Sequence, residues 1–356
     1  MSAGLTACAG GHMSSNRQPI FWALVFFSML FQALSVEAKC VPVGDIKAVT
    51  ISPTVLSSLS KLNMDREGIF RAIHAVSEPE TSGCWAGASG NFDGQIVSVG
   101  VLQWNYGQNS LQPMIRRYRE KFATEAAFRV NIGNVMPIFG KLIFSEGCRR
   151  IPITTDCQTT LEAQSQNGRL NSVVREEFDN LFNSETMIQI QVDRFIALVQ
   201  SVSDDLSRIF PSEHVTSLKV KWAIDTKTQQ GSFPGNADIA RTRKSLASAS
   251  AERKRVSIAG IVHWYEGLCS TIDQGGIWRD CSFNIAEWTK LNSTGAVSDE
   301  QCELLHFTFL RSRVAQGMSG YWQALSFQRR ARIILGVGSV GGDIQKLPAT
   351  TSRLAP

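Results

Sequence analysis

The chain holds only five histidines, and none of its eight cysteines stands in a Cys-x-x-Cys pair. That scarcity speaks against a zinc site, so no metal is expected. No stripe of basic residues interleaved with aromatics runs along the sequence. A formal charge of +5 is too small to argue for a nucleic-acid partner. There is no internal repeat and no low-complexity tract, which excludes a solenoid. The one sustained apolar run, residues 20–34, is shorter than the ~20 residues a membrane-spanning helix needs. A stable membrane anchor is therefore not expected.

That run has a different meaning. Arg17 precedes it, and Val36-Glu37-Ala38 closes it with small residues of the kind signal peptidases cut after. A charged start, a short apolar centre and a small-residue exit make a secretory signal peptide. Residues 1–38 are read as that signal, and the protein as secreted or periplasmic. Lys39 sits where a lipoprotein would have a small residue before Cys40, which argues against lipidation. The 356 residues less 38 leave 318, enough for one large domain with a sizeable core. The removed segment carries one charge of each sign, so the mature charge stays at +5 and suits an anionic wall polymer.

Seven cysteines remain after cleavage: Cys40, Cys84, Cys148, Cys157, Cys269, Cys281 and Cys302. Export permits disulfides. Cys148 with Cys157, and Cys269 with Cys281, are close enough to staple local loops, although sequence alone fixes no pairing. The odd count leaves one free thiol or an intermolecular bond.

Apolar residues at three- and four-residue steps predict helices over 53–77, broken near Asp65, and over about 124–144, 172–182, 185–209, 213–230, 242–265, 299–316 and 320–335. Pro79 is expected to end the first of these just after Glu78. Residues 96–103, β-branched and bounded by glycines, read as a strand or hairpin. Ser110 offers an N-cap to a helix with Pro113 in its first turn. Residues 147–171 and 267–297 read as loops. The glycines from Gly336 on read as a helix exit with tight packing. The fold class is mainly α (α+β), two helical lobes with a small β-hairpin between them. It occupies residues 39–343, followed by a loose tail, 344–356.

The chemistry centres on carboxylates. Glycosidic cleavage uses one carboxyl group to protonate the leaving oxygen and a second to activate water or attack. Glu78 lies where a helix meets a Gly-, Ser- and Ala-rich loop, and Asp93 where that loop enters the strand. Such a loop lets the two face one groove, and an inverting enzyme would hold them about 6.5–9.5 Å apart. Glu80 competes with Glu78, and either could equally be a solvated surface group.

Ser77-Glu78, followed by Asp93-Gly94-Gln95-Ile96-Val97-Ser98-Val99-Gly100, resembles the catalytic region of glycoside hydrolase family 46, the chitosanases of the lysozyme-like superfamily. Asn91-Phe92-Asp93-Gly94-Gln95 and Gln103-Trp104-Asn105, with Gly107-Gln108 and Ser110 to Pro113, is still more similar to bacterial and phage lysozyme-like proteins associated with peptidoglycan. Ala223-Ile224-Asp225 with Gln229-Gln230-Gly231, and the stretch from Arg332 to Gly341, share that likeness, which spans about residues 65–343. The resemblance implies Glu78 as general acid, Asp93 as base, Ser98 as a holder of the water, inversion at the anomeric carbon and a lysozyme-like fold with the hairpin at the active-site cleft. Pro79 after Glu78, and a short loop holding Cys84 and Trp85, depart from the family pattern and keep Glu80 in contention.

Around these, Trp104 either stacks on a sugar or fills the core. Asn105 and Gln108 either bind sugar hydroxyls or serve the turn. Asp225 either reaches the cleft or bridges to an arginine such as Arg332. His74 and His263 read as packed or solvated. The expected function is hydrolysis of a β-1,4-linked amino-sugar polymer, peptidoglycan before chitosan, without a cofactor. A non-catalytic wall-polymer clamp, or the same activity used as a secreted toxin, are the alternatives.

Overall fold

A computed structural model describes residues 40–345, except 45, 92–93, 212–213, 273–275, 316–319 and 342, with backbone only at 276–278 and 343–345. The expected signal peptide, residues 1–38, and the tail from residue 346 lie outside the described residues. The described part belongs to one compact unit beginning at Cys40. It is mainly helical, with three two-stranded antiparallel hairpins.

After α1 (Pro53–Leu59) and a 3-10 turn, α2 runs Arg66–Thr81. Its N-cap Asp65 accepts from the Gly68 amide, and Ile69, Phe70, Ile73 and Val76 form its buried stripe. Pro79 does not end this helix. It removes one amide in the last turn, while the Ser82 N–H, in the left-handed region, closes that turn on the carbonyls of Glu78 and Ser77.

The hairpin β1 (Ser98–Val99) and β2 (Trp104–Asn105) follows, shorter than the expected strand. Its turn needs Gly100, whose φ is +81° and where a Cβ would lie 2.6 Å from the Phe182 ring.

Next come α3 (Leu111–Glu120), α4 (Glu125–Val135), α5 (Gly140–Ile143), α6 (Glu146–Arg149), α7 (Thr155–Glu162), the hairpin β3 (Ser165–Gln166) and β4 (Arg169–Leu170), and α8 (Ser172–Asn183). The single helix expected over 124–144 is thus two. Pro137 disfavours helix before it, and buried Glu177 of α8 accepts the freed Ile138 and Phe139 amides, both at 2.7 Å. The loop expected over 147–171 instead holds α6, α7 and a hairpin.

The 25-residue α9 (Glu185–Ile209) packs on α3 and α8 at one end and on α10 (Ser217–Gln230) at the other. Beyond lie α11 (Asn236–Ala247), α12 (Ala251–Thr271), α13 (Gly276–Ser293), α14 (Asp299–Ser312), α15 (Gly320–Leu335) and the hairpin β5 (Gly338–Val340) and β6 (Asp343–Gln345). The expected 242–265 helix is split, because Ser250 caps α12 on the Arg253 amide. The expected 267–297 loop contains α13. Its described buried face carries Asp280, Asn284 and Asn292 beside Cys281 and Trp288, so polar residues mask the helical period. Ile344 and Gln345, the first residues of the expected tail, belong to β6. One apolar core runs through the unit from Val43 to Val337.

Three disulfides join Cys40 to Cys84, Cys148 to Cys157 and Cys269 to Cys281, and Cys302 is free and buried. Both local staples match the expectation, and of the two fates for the odd cysteine it is the free thiol that is found. No helix among the described residues is long and apolar enough to cross a membrane.

Candidate active site

Glu78 and Glu80 occupy the last turn of α2. Residues two apart on a helix are rotated by about 200°, so the two carboxylates leave on opposite sides. Glu78 is half exposed and pairs with His74 Nδ1 at 3.2 Å. It lines a cavity between α2, α10 and α15 whose walls include no residue of the hairpin over 96–105.

Glu80 is only 19% exposed on its side chain, and its partner Arg329 is one of that cavity's wall residues. Gln229 Nε2 at the end of α10 donates to its Oε1 at 2.9 Å, and Arg329 Nη1 of α15 donates to the same oxygen. Its Oε2 receives no hydrogen bond from the described residues.

Arg329 is the centre of a buried charge network. Its Nε donates to Asp225 Oδ1 at 2.5 Å, and Asp225 Oδ2 lies 3.3 Å from Arg330 Nε. Burial alone would lower the pKa of Arg329, but the carboxylates of Asp225 and Glu80 outweigh it and hold the pKa above the ordinary arginine value. Arg330 shares Asp225 and is wholly buried; desolvation dominates there and lowers its pKa to about 10. Of the two roles open to Asp225, the structure provides the bridge, with Arg329 and Arg330 as partners.

The helix end abuts the loop that carries the second carboxylate. Thr81 Oγ1 donates to the Cys84 carbonyl at 2.5 Å, and a Cβ on Gly87 would meet Thr81 Cγ2 at 2.8 Å. The Ala88 amide donates to Asp179 of α8 at 2.9 Å, which ties the loop to the helical body. Gly90 lies against the backbone of the β3–β4 hairpin, where a Cβ would sit 2.6 Å from the Gly168 carbonyl. Asn91 Oδ1 accepts from the Ile96 amide at 2.9 Å and closes the segment containing Asp93. Asp93 itself lies outside the described residues.

Ser98 is buried, and its backbone pairs with Ser89 on one side and Asn105 on the other. Trp104 is buried with its ring 6.3 Å from that of Phe182. A ring so enclosed offers no face to a sugar, so core packing is the role it fills. Asn105 is buried as well: its Oδ1 accepts from the Gln108 amide at 2.7 Å and its Nδ2 donates to the Gln103 carbonyl at 3.2 Å. Asn105 thus serves the turn, whereas the Gln108 side chain is exposed. His263 is solvated beside Glu266.

The sequence reading had not singled out Arg329, Gln229 or Asp179 for a role in the site. Another is buried Gln191 of α9, which accepts from the Val101 amide at 3.2 Å, donates to the Phe182 carbonyl at 2.9 Å and pins the hairpin turn. For Asp179 and Gln191 the sequence signal was polarity at positions that a helical period places inward, whereas Gln229 is exposed and stood out only within the resemblance. Among the described residues no three His, Cys, Asp or Glu side chains gather in a way that could hold a metal. In comparisons with known proteins, the chain matches no family model, no curated protein and no solved structure.

Proposed function

We propose that the protein is an exported glycoside hydrolase that cleaves a β-1,4-linked amino-sugar polymer by inverting acid–base chemistry, with Glu80 as the acid. The observation that carries this reading is the asymmetric hold on Glu80. Arg329 and Gln229 fix Oε1, and Oε2 is left to carry the proton toward a leaving oxygen. Arg329 also pairs with Asp225, so the network that orients Glu80 is itself anchored on α10. Glu78 lacks such a hold. It is half in water, and its cavity includes no residue of the hairpin over 96–105.

Asp93, on the loop that starts at the end of α2, takes the proton of the attacking water, and Ser98 lies five residues further on to hold that water. The basic chain favours anionic peptidoglycan over cationic chitosan. The acid and base need no cofactor.

The test is release of reducing ends from purified peptidoglycan and from chitosan. Removing an acid or base is expected to cost about 10²–10⁴-fold, so Glu80→Gln and Asp93→Asn should each fall by that factor while Glu78→Gln keeps most activity. Loss in Glu78→Gln with activity intact in Glu80→Gln moves the acid to Glu78. Polymer that binds the wild-type protein and is never cut makes the protein a wall-polymer clamp and overturns the enzymatic reading.

A further inference from the structure

The hairpin β3–β4 lies in a stretch for which the sequence offered no role, and its two faces differ in chemistry. Ser165 pairs with Leu170 and Gln166 with Arg169, and beyond them the Asn171 amide donates to the Gln164 carbonyl at 2.7 Å. Side chains alternate along a strand, so Gln164, Gln166, Arg169 and Asn171 share one face and Ser165 and Leu170 the other. A cavity of about 620 Å³ opens on this hairpin, a size at which proteins hold small ligands, and all six residues line it.

The first face is polar throughout, and its hydrogen-bonding groups are largely unused. The side chains of Gln164, Gln166 and Arg169 make no hydrogen bond or ion pair among the described residues. Asn171 uses its Oδ1, which accepts from the Val173 amide at 2.9 Å. No carboxylate lines the cavity. Glu162, the nearest in the chain, is off its wall and accepts from Gln158 at 2.9 Å. The hairpin is also held beside the loop of the proposed base. A Cβ on Gly90 would lie 2.6 Å from the Gly168 carbonyl and 2.8 Å from the Leu170 amide nitrogen, and Asp93 follows on the same loop.

We infer that the β3–β4 hairpin is a sugar subsite adjoining the Asp93 loop, and that it takes an N-acetylated amino sugar rather than free glucosamine. The inference rests on the reading of the chain as an amino-sugar hydrolase, whose polymer runs past the Asp93 loop onto what flanks it. Amide side chains both donate and accept, which matches the hydroxyls and the acetamide group of such a sugar. The ammonium of glucosamine finds no carboxylate there and meets the like charge of Arg169.

Isothermal titration of the full chain carrying Asp93→Asn, with tetramers of N-acetylglucosamine and of glucosamine, tests this. Mass spectrometry of the recovered sugar reports any cutting separately from binding. The N-acetylated tetramer should bind more tightly than the glucosamine tetramer. Gln164→Ala combined with Gln166→Ala should weaken it about threefold to tenfold, the range of one or two neutral hydrogen bonds. Arg169→Glu should strengthen the glucosamine tetramer by about the factor an exposed charge pair provides, up to fivefold. None of the three positions is buried, and unchanged near-ultraviolet circular dichroism certifies each fold. Equal affinity in the double variant and its parent overturns the inference, even where hydrolysis by the wild-type chain stands. Failure of the parent to bind either tetramer overturns it too, as does tighter binding of the glucosamine tetramer. Lost affinity in the double variant, with no polymer cut by the wild-type chain, keeps the subsite and overturns only the enzymatic reading.

Discussion

Asp225 carries more of the candidate site than its place in the sequence announces. It is 2% exposed and sits between Arg329 and Arg330, and Arg329 in turn holds Glu80. Removing one partner of a buried ionic group strands the others, at about 3–5 kcal/mol. Asp225→Asn should lower the urea-unfolding free energy by that order and release Glu80 from its fixed orientation. Unchanged stability would mean that the network is wetter than its geometry indicates. Asp179 makes a pH-dependent contribution. Burial raises its pKa above the ordinary 3.8, against the lowering effect of the Ala88 and Gly87 amides. The folded chain therefore holds that proton more tightly than the unfolded chain. The associated stability is full below the ordinary aspartate range and is lost as pH rises through the folded-state value. Asp179→Asn keeps an acceptor for Ala88 and removes that loss. Its stability relative to wild type should improve as pH rises from about 4 toward 7, and urea titrations at several pH values read this slope. At this scale the sequence made the carboxylates of the helix end visible but left Glu78 and Glu80 equivalent. Both are acids in one turn, and only the partners on α10 and α15 distinguish them.

The elements were legible where an apolar stripe repeats cleanly. The helices over 185–209 and 320–335 have the expected bounds because Ile188, Val192, Phe195 and Val199, and likewise Ala324, Phe327, Ala331 and Ile334, mark one buried face. Recognition failed where polar residues turn inward, as in α13, or where a distant side chain stabilises a break, as Glu177 does between α4 and α5. Pro79 shows a local rule overridden. Proline costs about 3 kcal/mol inside a helix, and less toward its end. Here packing on one side and the Ser82 cap on the other outweigh it. Pro79→Ala restores an amide able to reach the Ala75 carbonyl and should stabilise the protein by about 1–3 kcal/mol. A shift of the urea midpoint to lower concentration would show that the proline ring itself stabilises the end of the helix.

At the scale of the whole molecule, a covalent link ties the start of the compact unit to its interior. The Cys40–Cys84 bond spans 44 residues and anchors the first described residue beside the candidate site, whereas Cys148–Cys157 spans nine. Loop-closure entropy makes the longer link worth about 4 kcal/mol and the shorter about 2.7 kcal/mol. Cys40→Ser should therefore lower the melting temperature more than Cys148→Ser. Cys302 behaves oppositely: burial, the largest influence, pushes its thiol up to about 11. A thiol reagent should gain one reactive group when the chain is denatured without reductant; no gain would place that thiol in a bond. Composition and the apolar periods determined from the sequence that this is a mainly helical chain with a short hairpin near a pair of helix-end acids, and the cysteine spacing made local disulfide staples available without fixing the pairing. Those properties are local, set within a few turns or one loop. Which acid is held, whether Trp104 faces a ligand or the core, and what Asp225 pairs with were decided by tertiary structure alone. Each depends on groups about a hundred residues or more away in the chain, as Asp225 and Arg329 are, or on how closely helices pack, and no periodicity records either.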